Sequence, residues 1–478
     1  MAIPTKEQDI LTLFNIEDED VEHVSLQYTA DKLYADILLR SLKPPCPICG
    51  NTNVVIKDYT VKHINHSILA DRPLIIRYKA RRYRCPLCGR SYYEHNPFVS
   101  HNRKISDLTV RNVLDQLKSH TATFSSVARQ FNLSPTTAAS LFDQHVIMPR
   151  LPLPELMCWD EAFAFHHLGE NSKYVFMILD FQSQEPVDLL PSRKKEYLIK
   201  YFLDIPRAER NKVRMISTDM YKEYRYVIKS VFPDALHAVD HYHVSQELSR
   251  NVDAIRKRVM RSVKKYEDDT KTIVTSEYHL LKNFNWLIFK RPDSKDRDGQ
   301  LLFDPGKEKK LNRKLNRYLN YYDIKQLLIK IHPDLETGWR MKDQLIDFYE
   351  QNTYESVSEA ISQLIRQYRQ TGIHELIHFA NTLYNWREEI INSFIIVKHS
   401  HRIDRLTGQV KVIPKRLNNG LMENRNSILK TIKKASNGYT NWERFRNRCL
   451  YVLRPKALPV LYPVIPEKKD QPSSENKD

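Results

Sequence analysis

The sequence predicts an α/β core that is joined to a large helical insertion and preceded by two small N-terminal modules. Two runs of apolar, aromatic and β-branched residues, 156–165 and 174–181, flank a short polar turn and have the form of a buried β-hairpin. Short apolar runs then alternate with amphipathic stretches as far as residue 243, which is typical of an α/β unit. Two Cys-x-x-Cys pairs and a helix-turn-helix pattern come before the hairpin.

The composition favours a polyanionic partner. Among 478 residues, 75 Lys and Arg outnumber 58 Asp and Glu and give a formal net charge of +17. No run of about 18 apolar residues is present and the N-terminus lacks an apolar signal core, so we expect a soluble, cytoplasmic protein with no membrane partner. The ten glycines are not spaced as in phosphate-cradling loops, which argues against a nucleotide cofactor.

Residues 44–100 are predicted to form a zinc ribbon behind an N-terminal segment, residues 1–43, that is not informative. Cys46 and Cys49 form one pair, Cys85 and Cys88 form the other, and a glycine follows each pair. Four thiolates in two tight turns meet the tetrahedral demand of structural zinc, and the intervening residues alternate as strands do. This use of cysteine suits a reducing compartment better than disulfides do.

A cluster of basic residues in the second strand of the ribbon predicts contact with the DNA backbone. The alternative is that zinc only stabilises the fold. The predicted DNA-binding residues of this cluster are Arg77, Arg81, Arg82 and Arg84.

Residues 104–148 show the spacing of a DNA-binding helix-turn-helix, with helices at 125–131 and 135–146. Asn132 occupies a turn position where a positive φ is often needed, and Ser134 and Pro135 fit the cap and the first position of the second helix. Such patterns also arise by chance in helical proteins. The residues expected nearest the bases or phosphates are Thr136, Thr137 and Ser140.

The acidic pair of the hairpin, Asp160 and Glu161, interrupts a run in which packing has no use for charge. A carboxylate in a central strand is costly unless it is paired or bound to metal. Adjacent strand residues point to opposite faces, so only one of the two acids is expected to face a shared site. A turn centred near Glu170 would place Asp180 opposite Asp160 on the same face.

The elements of residues 155–243 follow the order of a ribonuclease H-like fold. After the hairpin come a third strand at 186–190, a helix, a strand that ends at Asp219, a second helix, and a strand that ends at Asp240. In that fold the first strand and the end of the fourth carry neighbouring carboxylates. Asp160 and Asp219 occupy those two positions.

The rest of the chain is predicted to be helical before it returns to the core. Residues 244–400 follow i, i+3, i+4, i+7 apolar spacing and form the insertion, whereas residues 454–478 form a disordered tail. Within residues 401–453, a helix that begins after Gly420 places Glu423, Ser427 and Lys430 on one face. One acid followed by a basic face suits a metal ligand beside a phosphate track; the alternative is a solvated charged helix.

In this order, the zinc ribbon, the helix-turn-helix, and the motifs WDE, STDMY, HAVDHYHV and NNGLMENRN resemble bacterial insertion-sequence transposases of the ISL-three type. The resemblance covers about residues 40–450. It implies a DDE enzyme with a ribonuclease H-like core and with Asp160, Asp219 and Glu423 as the catalytic acids. Glu423 is followed seven residues later by Lys430, as in many DDE transposases. Arg416 and Asn419 stand where some relatives have tyrosine and arginine.

The resemblance also implies cofactors and partners. Phosphodiester exchange uses two Mg²⁺ (or Mn²⁺) ions, which prefer carboxylate oxygen and which Asp160, Asp219 and Glu423 would bind. Asp240 and His243 are possible accessory residues, as is His241 beside them. The implied partners are double-stranded DNA, as terminal repeats of the element and as target, and further copies of the chain on that DNA.

Two other functions remain open at this point. The chain could be a catalytically inactive DNA-binding regulator, or a structure-specific nuclease with a ribonuclease H-like core. A regulator would bind DNA without cutting it, and a nuclease would cut without joining.

Overall fold

The computed structural model describes residues 6–13, 15–16, 21–67, 72–99, 104–163, 174–266, 272–273, 275–403 and 408–460. None of the helices in these ranges combines the length and apolar character needed to cross a bilayer.

The N-terminal part is a five-stranded sheet. Its elements are α1 (Lys6–Leu13), β1 (Val21–Tyr28), β2 (Leu33–Leu39), β3 (Val55–Asn65), β4 (Leu74–Arg84) and β5 (Ser91–Tyr93). The strand order is β1-β2-β4-β3, with β5 on β4, and β2 pairs with β4 in parallel. The predicted boundary at residue 43 therefore needs correction, because β1 and β2 belong to the same sheet as the strands between the cysteine pairs.

Three helices follow, α2 (Asp107–Gln116), α3 (Phe124–Gln130) and α4 (Pro135–His145). Thr123 and Ser126 form a capping box at the start of α3, and the Ser134 side chain caps α4 ahead of Pro135. Asn132 has φ of 53°, as the turn between the two helices requires. The local signals in the sequence thus predicted this helix pair to within a residue.

The central sheet has five strands in the order β10-β9-β6-β7-β8. Its elements are β6 (Leu156–Phe163), β7 (Tyr174–Asp180), β8 (Pro186–Leu190), α5 (Lys195–Leu203), α6 (Arg207–Arg210), β9 (Met215–Thr218), α7 (Lys222–Val231) and β10 (Leu236–Val239). β6, β7 and β8 are antiparallel, whereas β9 runs parallel to both β6 and β10. The carboxyl ends of β6, β9 and β10 therefore meet at one edge of the sheet.

The register of the β6–β7 hairpin differs from the prediction. Asp160 pairs with Met177, and Asp180 pairs with Met157 at the far end of the hairpin. An offset of three residues moves Asp180 away from Asp160 and onto the other face. The Asp180 carboxylate accepts the backbone N–H groups of Gln182 and Ser183, so it stabilises the turn before β8. The predicted turn residue, Glu170, lies outside the described residues.

The insertion is mostly helical and begins at residue 241, three residues earlier than predicted. Its elements are α8 (His241–Ser262), β11 (Lys265–Tyr266), β12 (Thr272–Ile273), α9 (Ser276–Asn283), a 3₁₀ helix (Asn285–Phe289), β13 (Lys310–Asn312), β14 (Arg317–Leu319), α10 (Tyr321–Ile329), α11 (Pro333–Gln351), α12 (Val357–Gln370), α13 (His374–Asn385) and α14 (Arg387–Asn392). One face of α8 enters the core of this block through Val244, Leu248, Val252 and Ile255.

After the insertion come β15 (Ile396–Ile403), β16 (Val410–Arg416), α15 (Gly420–Ala435) and α16 (Trp442–Leu453). Residues 454–460 are packed rather than disordered, which corrects the predicted start of the tail. The buried Arg454 guanidinium donates to the carbonyls of Pro149, Pro186 and Val187, and Val460 donates its N–H to the His145 carbonyl. Residues 461–478 lie outside the described residues.

The central sheet is covered on both faces. On one face Trp159 packs against α5 and α7, with its ring stacked on Phe202 at 5.0 Å between centroids. On the other face Cys158 shares a core with α15, α16 and the three helices α2–α4. Asp160 and Cys158 point to this second face, and Trp159 and Glu161 point to the first.

Candidate active site

Asp160 lies at the centre of the carboxyl edge of the sheet. Its Oδ1 accepts the backbone N–H of Glu161 at 2.8 Å, and its Oδ2 accepts the Asn426 side-chain amide of α15 at 2.8 Å. Burial raises the pKa of Asp160 to about 7, and the charges of Glu161 and Asp219 act in the same direction. A carboxylate in these surroundings favours a nearby cation.

Glu161 projects from the other face of β6 and has partners of its own. It accepts hydrogen bonds from the Arg193 guanidinium and from the Tyr224 hydroxyl, the latter at 2.5 Å. Burial and the charge of Asp219 raise the pKa of Glu161, whereas Tyr224 and Arg193 oppose that rise. The alternation predicted from the sequence therefore separates Asp160 from Glu161, and Glu161 is already neutralised by Arg193.

Asp219 and Asp240 continue the row that starts with Asp160. The parallel register pairs Cys158 with Ser217, so Asp160 and Asp219 lie side by side two residues further along. It also pairs Thr218 with Val239, so Asp219 and Asp240 lie side by side one residue further along. Asp219 accepts the backbone N–H of Tyr221 at 3.0 Å, and burial raises its pKa.

Asp240 caps the first helix of the insertion by accepting the backbone N–H of Tyr242. His241 Nδ1 lies 3.2 Å from Asp240 Oδ1. Burial alone would raise the pKa of Asp240, but hydrogen bonding to His241 and the charges of His241 and His243 lower it below its ordinary value. The pKa of His243 is lowered by burial, while the charges of Asp240, Glu161 and Glu423 act to raise it. His243 therefore lies among three carboxylates of the site.

Glu423 is exposed in the first turn of α15. The charge of Glu423 raises the pKa of Tyr242, and the two side chains are hydrogen-bonded. Asn426, one turn further along the helix, is the residue that donates to Asp160. Asn419, just before the helix, donates its side-chain amide to the Trp159 carbonyl at 2.9 Å. Two asparagines thus dock the helix of Glu423 onto the strand of Asp160.

The structure brings these acids to one edge but not into one tight cluster. The charge of Asp219 raises the pKa of Asp160, and Glu423 approaches from α15 beside Tyr242 and His243. Within the described ranges, the four ribbon cysteines are the single group of three or more candidate ligands whose atoms all lie within 4.8 Å of one another.

Those cysteines form a separate candidate metal centre. Cys46 Sγ lies 3.5 Å from Cys88 Sγ, and Cys49 Sγ lies 3.6 Å from Cys85 Sγ. Gly50 and Gly89 have φ near 70°, which lets each turn fold back so that its backbone N–H reaches the carbonyl of the first cysteine. Hydrogen bonds from the Cys88 backbone and the Asn51 side chain lower the pKa of Cys85 to about 6, whereas burial and the neighbouring thiols raise the pKa of Cys49.

The predicted DNA-binding residues have different surroundings. Thr136 and Ser140 are exposed on α4, and Thr137 is half-buried; the hydroxyls of Thr136 and Thr137 lie 2.8 and 2.7 Å from the Ser134 hydroxyl. Lys430 is exposed on α15. Thr136, Ser140 and Lys430 are therefore open to solvent, and Thr137 is partly so.

The basic cluster of β4 requires a correction. Arg81 is buried and donates to Glu94 at 3.2 Å and to the Leu39 carbonyl, so its guanidinium is not available to DNA. Arg77 is held by a bidentate contact with Asp36 and lies over the Tyr34 ring. Arg82 lies 3.5 Å from Asp58, and Arg84 is exposed. The alternation of β4 breaks at Ala80 and Arg81, which are both buried, and the sequence did not indicate this.

Several residues of the site were not predicted from the sequence. Arg193 and Tyr224 neutralise Glu161, and Asn419 and Asn426 hold α15 against β6. The asparagines stand in the NNGLMENRN motif, so their proximity to Glu423 was a usable signal. No local signal connects Arg193 or Tyr224 with Glu161, because both lie on other elements.

Comparison with known proteins agrees with this geometry. A family model described as transposase matches residues 157–449, more than half of the chain, and a model described as the helix-turn-helix domain of transposase family ISL3 matches residues 94–146. The chain is also 21% identical over 406 residues to the transposase for insertion sequence element IS1001 of Bordetella parapertussis, covering 84% of this chain and 86% of that protein. The chain belongs to the ISL3 (ISL-three) family of transposases.

Proposed function

We propose that this transposase is a DDE enzyme that cuts and joins DNA with Asp160, Asp219 and Glu423. The observation that carries the proposal is the alignment of Asp160 with Asp219 at the carboxyl edge of the sheet, together with the contact between Asn426 of the Glu423 helix and Asp160. Both observations support one site that is shared by three acids from distant parts of the chain.

The strand arrangement supports a ribonuclease H-like core. Three antiparallel strands are followed by two parallel ones on the side of the first strand, in the order β10-β9-β6-β7-β8. Asp160 is on the first strand and Asp219 follows the fourth, as that fold requires for its paired carboxylates. The insertion between β10 and α15 accounts for the long interval between Asp219 and Glu423.

The donor set fits a hard divalent cation. Asp160, Asp219 and Glu423 offer carboxylate oxygens, the ligands that Mg²⁺ and Mn²⁺ prefer. The raised pKa values of Asp160 and Asp219 reflect burial and, for Asp160, repulsion between acids, and a bound cation relieves both. Two such ions, when bound, supply the charge that activates the attacking oxygen and stabilises the leaving oxygen.

The side chains of the site would then perform two successive reactions. In the first, water attacks the phosphodiester at the end of the element; a P–O bond forms to water and the P–O3′ bond breaks, which frees a 3′-hydroxyl. In the second, that hydroxyl attacks a phosphodiester of the target, and the displaced 3′-oxygen leaves. Asp160 would hold both ions, with Asp219 and Glu423 on one each, while Asp240 and His243 orient the groups around them.

DNA recognition is assigned to the N-terminal modules and α15. Thr136, Thr137 and Ser140 would contact bases or phosphates in a major groove, and Arg84 and Lys430 would contact the backbone. The four cysteines would bind one zinc that stabilises the ribbon. Because two element ends must be joined to one target, we propose that at least two copies of the chain act together on DNA.

One assay separates this proposal from the two alternatives. Purified protein is incubated with magnesium and with DNA that carries the terminal sequences of the insertion element encoding this chain, and the products are separated by size. Joined products support the transposase chemistry. Cuts without joining would indicate a nuclease, and a shifted band without cuts would indicate a DNA-binding regulator.

A further inference from the structure

Strands β15 and β16 form a two-stranded ribbon just before the Glu423 helix. They pair with each other along seven registered positions and, within the described part of the chain, with no other strand. Most of the side chains on both faces are exposed, including Ile403 at 66% and Val410 at 59%. The ribbon is therefore an arm on the protein surface rather than part of a core.

One face of this arm is basic. The register places Lys398 opposite Lys415 and Arg402 opposite Lys411, with Ser400 opposite Ile413 between the two pairs. All four cations are exposed, and among the described residues none of them forms an ion pair with a carboxylate. Like charges directly opposite one another destabilise a strand pair, and a bound anion would offset the repulsion between these cations.

The root of the arm is fixed to the candidate active site. The Arg416 guanidinium donates to the carbonyls of Tyr349 and Asn352 and lies 4.1 Å from the centroid of the Phe394 ring. Two residues later, the Asn418 carbonyl accepts the Cys158 thiol, and Asn419 donates to Trp159. The arm thus projects from the residues that adjoin Asp160 on β6.

A cleft of about 530 Å³ opens beside the root of the arm. It is lined by Lys415 and Arg416 at the root of the arm, by Tyr349 of α11, and by His241, which adjoins Asp240. Cationic groups of Lys415, Arg416 and Arg291 therefore line this cleft with the His241 imidazole, and Glu350 contributes one carboxylate.

We infer that the basic face of the β15–β16 arm binds the phosphate backbone of the DNA duplex on which the active site acts. This inference rests on the proposed function. Lys398 and Arg402 are four residues apart on one strand, or about 13 Å, and the major groove is about 12 Å wide, so the two cation pairs span the phosphates on either side of a groove. Phosphates also neutralise the two like-charge pairs.

The test compares three variants of the otherwise intact protein, one with four substitutions and two with two substitutions each. One variant carries Lys398→Gln, Arg402→Gln, Lys411→Gln and Lys415→Gln together; a charge-preserving variant carries Lys398→Arg and Lys415→Arg. The control, Lys310→Gln with Arg317→Gln, removes one exposed Lys and one exposed Arg from another small ribbon, β13–β14. Affinity is measured against salt, without magnesium, for a duplex with the terminal sequence of the element and for an unrelated duplex of equal length.

We expect the four-residue variant to lose about tenfold or more in affinity at low salt, and the slope of log K against log salt to become shallower by about two to four. The charge-preserving variant and the control should bind as the native protein does. A loss of affinity for the terminal duplex alone means that the arm binds the element end, and a loss for the unrelated duplex alone means that it binds the target. A loss of affinity for both means that the arm binds the backbone of either DNA.

Three results would overturn the inference. The first is an unchanged affinity and slope with both duplexes. The second is a changed oligomeric state with unchanged DNA binding, which would make the arm a contact between copies. The third is a lower melting temperature, because removing opposed like charges should leave the melting temperature unchanged or raise it. The binding assay needs no cleavage. If the native protein binds DNA but never cuts it, the proposed chemistry is refuted. The inference about the arm is then still decided by the affinity measurements alone.

Discussion

Asp160 and Glu161 are neighbours in the chain, yet their carboxylates have opposite surroundings. Glu161 contacts Arg193 and the Tyr224 hydroxyl. Asp160 contacts two neutral N–H donors and lies within the field of two other acids. The Glu161 carboxylate therefore has a structural role, whereas the Asp160 carboxylate is available to bind a cation.

This difference predicts opposite effects on stability. Glu161→Gln leaves Arg193 without its charged partner and should lower the free energy of unfolding by about 2 kcal/mol. Asp160→Asn removes a buried charge that other acids repel, so it should leave the free energy of unfolding unchanged or raise it. Denaturant unfolding in magnesium-free buffer measures both, and a similar loss in the two variants would contradict the assignment.

His237 predicts how stability depends on pH. Its Nε2 lies 2.8 Å from the Thr218 hydroxyl, which donates to the Asp219 carbonyl, so the imidazole is the donor of that contact. Burial lowers the pKa of His237 to about 3, and the charges of Arg225 and Lys229 add to that effect. An unfolded histidine titrates near 6.5, so between these two values the unfolded chain binds the extra proton.

The stabilising effect of neutral His237 is therefore complete above pH 6.5 and declines as the pH falls, by about 1.4 kcal/mol per pH unit. His237→Gln keeps a donor for Thr218 and cannot be protonated, so its unfolding free energy should fall less steeply between neutral and mildly acidic pH. Equilibrium unfolding at several pH values checks this. Parallel curves for the two proteins would exclude His237 as the source.

The sequence could single out the proposed catalytic acids but not the residues that contact them. Asp160 was recognisable because a carboxylate in a buried strand is costly unless it is paired or bound to metal. Asp219 was recognisable because it ends an apolar run. Arg193, Tyr224 and the buried pair of Arg81 with Glu94 depend on tertiary contacts. Their chain separations carry no periodic signal.

At the scale of elements, local chemistry determined what was predictable. The caps at Thr123 and Ser134 and the positive φ at Asn132 set the helix-turn-helix almost to the residue. The β6–β7 register was wrong by three residues, because an apolar strand pairs equally well in several registers unless the turn fixes one.

The correction at Arg81 changes what its substitution should do. Arg81→Ala breaks a buried ion pair that links β4 to Glu94, and it should destabilise the N-terminal sheet by about 3 kcal/mol. Arg84→Ala removes an exposed cation from the same strand and should weaken binding to all DNA sequences alike without changing the melting temperature. Thermal unfolding and band shifts on both variants check this; intact stability in Arg81→Ala would contradict the burial.

The two cysteine turns predict one zinc per chain. Cys85→Ser should bind much less than one equivalent and should lower the melting temperature of the N-terminal sheet, because a structural zinc contributes about 10 kcal/mol or more to folding. Cys449→Ala, which removes a buried thiol from α16, should keep its zinc. Elemental analysis gives the stoichiometry. Full zinc content in Cys85→Ser, or none in the native protein, would refute the ribbon site.

At the scale of the whole molecule, the active site depends on contacts between distant segments. Glu423 reaches the site only after the helical insertion, through α15 and its two asparagine contacts with β6. The helices α2–α4 share a hydrophobic core with α15, α16 and the central sheet. The helix-turn-helix and the proposed catalytic acids are thus packed around one framework, although the sequence presents them as successive modules.

The proposed acid triad is tested most directly by measuring how three variants cleave and join terminal DNA. Asp160→Asn, Asp219→Asn and Glu423→Gln each preserve shape and remove a charge that Mg²⁺ requires. Each should abolish both reactions while end binding and folding remain intact. Glu443→Gln provides the matched control, because Glu443 is an exposed glutamate in the first turn of the next helix.

We expect full activity for Glu443→Gln and none for the three triad variants in that one assay. Activity of Glu423→Gln alone would mean that another acid within residues 380–450 is the third ligand. Activity of all three triad variants would contradict the account.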